Sequence, residues 1–173
     1  MPTPLCLLAR KHGSDKFSAK HSYTAWYFSE FASRRESIRK VVEIGVGEGA
    51  SLRMWREFFP NAEVIGADND PARAVGGVIL CDQSKPNDLA ALLQRTGPDV
   101  DLFIDDGSHR PEHQRFTMEY MMPLLAPGVT YVIEDVAEFW HTPHTEPYVI
   151  EMPELEHRRR YDNRLIVVRH AAN

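Results

Sequence analysis

Apolar positions along this chain fall into short blocks of two kinds. Val41-Val42-Glu43-Ile44, Val64-Ile65-Gly66-Ala67, Leu102-Phe103-Ile104 and Tyr131-Val132-Ile133 are compact apolar runs with the length of buried strands. Between them the spacing turns helical, as in Leu52, Trp55 and Phe59, which share one face. The pattern predicts strand 40–44, helix 50–59, strand 63–67, strand 77–81, helix 86–95, strand 100–105, helix 111–124 and strand 129–134. Ahead of these, a short helix runs to about Arg10, Lys11 to Lys16 reads as a turn, and an aromatic helix carrying Trp26, Tyr27, Phe28 and Phe31 starts near Tyr23. Near the end, Tyr148-Val149-Ile150 and Leu165-Ile166-Val167-Val168 read as strands, and the stretch from Glu138 to Asp162 lacks periodicity. Strands alternating with helices predict a mostly parallel sheet with helices on both faces. The expectation is a Rossmann-like, doubly wound α/β fold in one domain over 1–173, with 1–36 as a helical cover and 37–173 as the core.

The turn after the first strand narrows the chemistry. Gly45, Gly47 and Gly49 alternate between Ile44 and a helix that opens at Ala50-Ser51. Glycines there let the backbone pass close to a ligand, because no Cβ blocks the approach. The spacing is G-x-G-x-G, not the G-x-G-x-x-G of dinucleotide folds. Glu43 precedes the first glycine, where a pyrophosphate would be repelled and a cationic amino group welcomed. That points to S-adenosylmethionine (SAM) rather than NAD. Asp68, at the end of the second strand, falls where a ribose-binding carboxylate is expected. Asp82 and Gln83 follow the third strand, where adenine contacts would lie; a turn or a helix cap is the plainer reading of Asp82.

Ligands of open α/β sheets bind beyond the carboxyl ends of the strands, and here those ends are acidic. Asp105-Asp106 closes the fourth strand and Glu134-Asp135 the fifth. Neighbouring strand tips lie about 5 Å apart, so four carboxylates would crowd one end of the sheet, a costly arrangement unless a cation joins them. Mg²⁺, a hard cation with oxygen ligands, is the leading neutraliser, with Asp106, Glu134 and Asp135 as expected ligands. Asp105 should point to the other side of its strand, toward the cofactor or a structural partner. His109, three residues beyond Asp106 at the mouth of the site, fits a general base, against the alternative of a plain loop histidine. His109 and His113 form H-x-x-x-H, but Arg110 stands where a zinc protease has its Glu, so a zinc site is not expected.

Length and composition add exclusions. At 173 residues the chain can bury a core without disulfides, and Cys6 and Cys81 are too few and too far apart for a disulfide framework or a zinc motif. The net charge of −5 argues against a general nucleic-acid binder; the basic run His157-Arg158-Arg159-Arg160 reads as a solvated face. The apolar start Leu5-Cys6-Leu7-Leu8-Ala9 is too short for a secretory h-region, and no stretch is long enough to span a membrane. A cytoplasmic protein acting on a small-molecule acceptor is expected.

With these residues in view, the chain resembles the class I SAM-dependent methyltransferases, and more closely the metal-dependent sugar O-methyltransferases of macrolide (mycinamicin-type) antibiotic biosynthesis. The matching segments are Lys11-His12-Gly13-Ser14-Asp15-Lys16, His21-Ser22-Tyr23, Val42-Glu43-Ile44-Gly45-Val46-Gly47, Ala50-Ser51-Leu52-Arg53-Met54-Trp55, Ile104-Asp105-Asp106-Gly107-Ser108-His109 with His113-Gln114, and Tyr131-Val132-Ile133-Glu134-Asp135. The resemblance implies that Asp106, Glu134 and Asp135 bind the metal and that His109 is the catalytic base. It implies that Glu43, Gly45 and Asp68 hold SAM, with Lys16, His21 and Tyr23 near its methionine end. The implied reaction is Mg²⁺-dependent methyl transfer from SAM to a hydroxyl of a sugar or glycoside. The pattern departs at Val129, where a second Gly is usual, and from Val136 onward. Trp140, His141, His144 and Tyr148 are candidates for the acceptor side. Rival readings are a catechol or amino-sugar N-methyltransferase on the same fold, and a SAM-binding interaction subunit without catalysis. A homo-oligomer in which a neighbouring subunit completes the pocket stays open.

Overall fold

The computed structural model describes residues 1–137, 147–156 and 161–171. Two helices lead, α1 (Pro4–His12) and α2 (Tyr23–Phe31), followed by β1 (Lys40–Ile44), α3 (Ala50–Phe58), β2 (Glu63–Asp68), β3 (Ile79–Leu80), α4 (Pro86–Thr96), β4 (Leu102–Asp105), α5 (Pro111–Met121), β5 (Thr130–Ile133), β6 (Tyr148–Glu151) and β7 (Ile166–His170). The sheet runs β3-β2-β1-β4-β5-β7-β6. Strands β1 to β5 are parallel, while β7 pairs antiparallel with β5 and β6 antiparallel with β7. The predicted mostly parallel, doubly wound architecture is the observed one.

Residue alternation divides the core between the two faces of the sheet. Val41, Leu102, Ile104 and Val132 pack on the α1–α3 side, with Leu5, Tyr27, Trp55 and Phe58. Val42, Ile44, Phe103, Tyr131 and Ile133 pack on the α4–α5 side, with Leu89, Leu92, Met118 and Met121. Phe103 and Tyr131, partners across β4 and β5, stack at 4.8 Å. Covered on both faces, β4 and β5 are buried along their whole length rather than on alternate residues.

Most spans differ from the prediction by two residues or fewer, and β3 and α5 each fall three short. Strand β3 keeps only Ile79–Leu80, because Gly76 and Gly77 just before it have φ of 60° and 95°, incompatible with extended backbone. Helix α5 stops at Met121 and continues as a 3₁₀ turn over Met122–Leu124. Pro123 has no N–H to continue the α-helical ladder.

The strand order changes direction between β1 and β4, since the chain first builds outward to β2 and β3 and then returns. Ile44 pairs with Asp105, and Asp105 with Ile133. This places the turns after β1, β4 and β5 side by side, at the topological switch where open α/β sheets bind ligands.

Candidate active site

A cavity of about 710 Å³ opens over these strand ends. Its walls include Gly45, Val46, Gly47 and Ser51 from the first turn, Asp68 and Asn69 after β2, and Asp82 and Gln83 after β3. Asp106, Ser108, His109 and Arg110 follow β4, Asp135 follows β5, and Gly13, Ser14, Asp15 and Lys20 come from the N-terminal turn. Gly45 is required by its neighbours. Its φ is 85°, and a Cβ there would overlap the backbone carbonyl of Asp106. Only glycine lets the β1 and β4 turns close on each other so tightly.

Asp68 organises the glycine turn. One carboxylate oxygen accepts the backbone N–H groups of Val46 at 3.1 Å and Gly47 at 3.2 Å, and the other accepts from Asp70 at 3.0 Å. It also lines the cavity. Asp82 accepts from the backbone N–H and hydroxyl of Ser84 and pairs with Lys85 at 3.1 Å. The Ser84 hydroxyl leads in holding its carboxyl down at about 2. Gln83 is a strut as well as a wall: its amide group donates to both oxygens of Asp105 and to Thr117, and its carbonyl accepts from the Ser108 N–H. Asp105 therefore has a structural partner. Fully buried, it is pushed up to about 7 by loss of solvent.

Behind the cavity wall lies a charged layer. Lys16, 1 % exposed, places its ammonium 2.6 Å from Asp106, 2.6 Å from Glu134 and 3.3 Å from Glu43. Burial opposes the lysine's charge, but Asp106, Glu134 and Glu43 outweigh it and hold its pKa well above the usual range. Burial likewise raises Asp106 and Glu134, and Lys16 offsets this only in part. Glu43 is wholly buried, neither oxygen has a hydrogen bond of good geometry, and burial pushes it up to about 7. Its cation here is Lys16.

Glu134 turns inward. Lys16 donates to one of its oxygens and the Tyr27 hydroxyl to the other, both at 2.6 Å. Asp135 turns toward the cavity, its backbone in the left-handed region at φ 53°. It accepts from the Tyr23 hydroxyl at 2.6 Å, pairs with His21 at 3.1 Å and meets Nε2 of His109 at 3.3 Å. Burial works against the Asp135 carboxylate, but the bonds from His21 and Tyr23 hold its carboxyl below the usual range. The Asp135 bond in turn raises His21. Gln114 pins the turn by donating to the carbonyls of Glu134 and Asp135.

Asp106, His109 and Asp135 can bring one ligand atom each to within 4.8 Å of one another. Two hard carboxylates on the cavity side fit a divalent cation such as Mg²⁺. Glu134, expected as a third ligand, is not in that group: its two oxygens are held by Lys16 and Tyr27.

The structure thus gathers the sequence-predicted residues in two shells. Gly45, Gly47, Ser51, Asp68, Asp82, Gln83, Asp106, His109 and Asp135 line the cavity, while Lys16, His21, Tyr23, Glu43, Asp105 and Glu134 support it from behind. Trp140, His141 and His144, with the basic run at 157–160, lie outside the described residues. Tyr148 is in β6, its ring edge-on to His170. Two contributors had no role in the sequence reading. Tyr27 holds Glu134, and its place four residues after Tyr23, on the same helix face, is the signal that would have found it. Ser108 shares a hydrogen bond of 2.9 Å with His113, so His113 also faces the cavity.

Comparison with known proteins bears on this geometry. A family model described as a methyltransferase domain matches residues 42–136, from β1 through the turn after β5. The chain is 41% identical over 145 residues to 8-demethyl-8-alpha-L-rhamnosyl tetracenomycin-C 2'-O-methyltransferase of Streptomyces olivaceus, covering 77% of this chain and 38% of that protein. It is 35% identical over 145 residues to mycinamicin VI 2''-O-methyltransferase of Micromonospora griseorubida, covering 77% of this chain and 36% of that protein. The chain therefore spans well under half the length of these curated relatives. Among solved structures, the MycE methyltransferase of the mycinamycin biosynthetic pathway, in complex with Mg, SAH and mycinamycin VI, superposes with a TM-score of 0.79 at 25% identity, covering 98% of this chain and 54% of that one. The match spans the glycine turn and both acidic strand ends, on the same Rossmann-like sheet: the chain belongs to the methyltransferase domain family.

Proposed function

We propose that this chain transfers the methyl group of SAM to a hydroxyl of a sugar or glycoside, with Mg²⁺ assistance, and that residues 1–36 serve as the cover of its site. One observation carries the reading. His109 meets Asp135 at 3.3 Å, beside Asp106, on the wall that continues into the glycine turn. A base and a cation site thus share one cavity with a cofactor-type loop. The curated relatives support the acceptor class, since those cited are named for O-methylation of a rhamnosyl tetracenomycin and of mycinamicin VI.

A sugar hydroxyl is a poor nucleophile because its proton is weakly acidic. SAM supplies the methyl group when bound, and Mg²⁺ would supply positive charge that makes the acceptor hydroxyl more acidic. Asp106 and Asp135 would hold the cation, and Glu134 would support them from behind. His109 accepts the hydroxyl proton on its imidazole, and the imidazolium is stabilised by the Asp135 carboxylate that meets its Nε2. The glycine turn, held by Asp68, positions the cofactor, and Gln83 fixes Ser108 on the opposite wall. Holding both reactants in line supplies much of the remaining rate.

The test is a panel assay with SAM and Mg²⁺: a rhamnosylated aromatic glycoside, a macrolide glycoside, an amino sugar and a catechol, followed by mass spectrometry. One methyl group gained on a glycoside hydroxyl is the expected result. Methylation confined to the amine or the catechol would replace this reading, and SAH binding without turnover on any acceptor would leave a non-catalytic binding domain.

A further inference from the structure

Lys16 reaches the acid cluster from a fixed base. Its backbone carbonyl accepts the N–H groups of Tyr23 and Thr24 at 3.1 Å each, capping the first turn of α2. From there the side chain runs into the molecule and divides its ammonium among Asp106, Glu134 and Glu43. Two of its three donors go to Asp106 and Glu134, and Glu43 shares the charge at 3.3 Å. Two of the three acids expected to take a divalent cation are therefore already held by a cation that belongs to the chain. The third, Asp135, is held by Tyr23 and His21 instead.

Like charges sharing the same oxygens repel strongly where little water intervenes. We infer that Lys16 is a resident counter-ion that competes with the divalent cation for Asp106 and Glu134. It keeps the carboxylates assembled when no metal is bound, and it weakens metal binding, because the ammonium must withdraw before Glu134 can join Asp106 and Asp135 around a metal. Lys16 acts through these acids as a positioning residue. The inference rests on the reading of Asp106 and Asp135 as a cation site. It adds that metal loading is an exchange of one cation for another rather than the filling of bare carboxylates.

Mn²⁺ is the probe, followed by electron paramagnetic resonance of the free ion, without SAM or acceptor. The proteins are wild type, Lys16→Met, and Lys16→Met/Glu43→Gln, which removes one charge of each sign and leaves the three expected ligands intact. Both variants are expected to bind Mn²⁺ about tenfold or more tightly than wild type, since a nearby like charge has gone. Mn²⁺ should also raise their melting temperature by more than it raises that of wild type. If Lys16→Met folds only when Mn²⁺ is present, the exchange is shown directly; the charge-balanced variant supplies the affinity. A purely structural ion pair would give a different pattern, with lower stability with and without the ion and an unchanged dissociation constant. Equal or weaker Mn²⁺ binding in the variants overturns the exchange while leaving the cation site standing. Binding to none of the three proteins removes the cation site and the exchange with it.

Discussion

Replacing Asp68 by Ala tests two roles for one carboxylate, scaffold of the glycine turn and ligand for ribose. Asp68, 3% exposed, accepts three backbone N–H groups, two of them from the glycine turn. Hydrogen bonds to a charged group contribute about 1.5–3 kcal/mol each, and less where water can take over. Val46 is buried, whereas Gly47 and Asp70 are half-buried. The full figure therefore applies to one bond and a fraction to the others, so Asp68→Ala should lose about 2–4 kcal/mol of stability. Arg73, 4.0 Å away and 44% exposed, adds little. Asp68→Asn keeps an oxygen for the turn but puts an amide group opposite the Asp70 N–H, and should lose roughly half as much. Urea unfolding at constant m-value measures the stability; calorimetry with S-adenosylhomocysteine measures the second role. If the carboxylate also binds ribose, Asp68→Ala should weaken SAH about tenfold or more, measured where both proteins are fully folded. A stability change within about 0.5 kcal/mol would refute the scaffold role, and unchanged SAH affinity would refute ribose binding.

Further outcomes follow from the same geometry. His109→Ala should lower turnover about 10²–10⁴-fold, the usual range for a general base, with SAH affinity nearly unchanged; wild-type turnover with chemistry rate-limiting would place the base elsewhere. Excess chelator should abolish turnover and Mg²⁺ restore it, and full activity in chelator would rule out the cation's role. Tyr27→Phe strips a buried carboxylate of one donor and should cost about 1–3 kcal/mol, with thermal unfolding as the readout. Asp105 is pushed up to about 7 by burial, above its unfolded value near 3.9. The native state therefore holds the extra proton between these values, and the group's contribution is full below the lower one and fades as pH rises to the upper. Asp105→Asn should remove that decline from the stability–pH curve, and parallel curves for the two proteins would contradict it.

The sheet could be read from sequence because each strand carries its own apolar run, and the site because strands deliver their last residue to one end of a parallel sheet. Asp106, Asp135 and Gly45 were found by that logic alone. Lys16 was different. Its ammonium meets Asp106 and Glu134 across 90 and 118 residues of chain, and the turn that carries it has no periodicity. Its neighbours in sequence say nothing of the acids it neutralises. Glu43 shows the same limit: its strand-end place was legible, but its cation was expected to come from a ligand, and here it comes from Lys16. Gln83 was placed correctly beside the cavity, while its hold on Asp105 depends on a side-chain direction that no strand pattern contains.

The contact between residue 45 and the carbonyl of Asp106 has a thermodynamic consequence. With no room for even a methyl group at that joint, the glycine turn cannot shift without moving Asp106. If SAH takes the glycine-turn side of that joint and a divalent cation the Asp106 side, the two are expected to be linked, and linkage is reciprocal. The factor by which Mn²⁺ changes the affinity for SAH must equal the factor by which SAH changes the affinity for Mn²⁺. Neither dissociation constant is then a fixed property of the site, since each depends on the concentration of the other ligand. A substitution at Gly45 is expected to act on both equilibria through its clash with the Asp106 backbone.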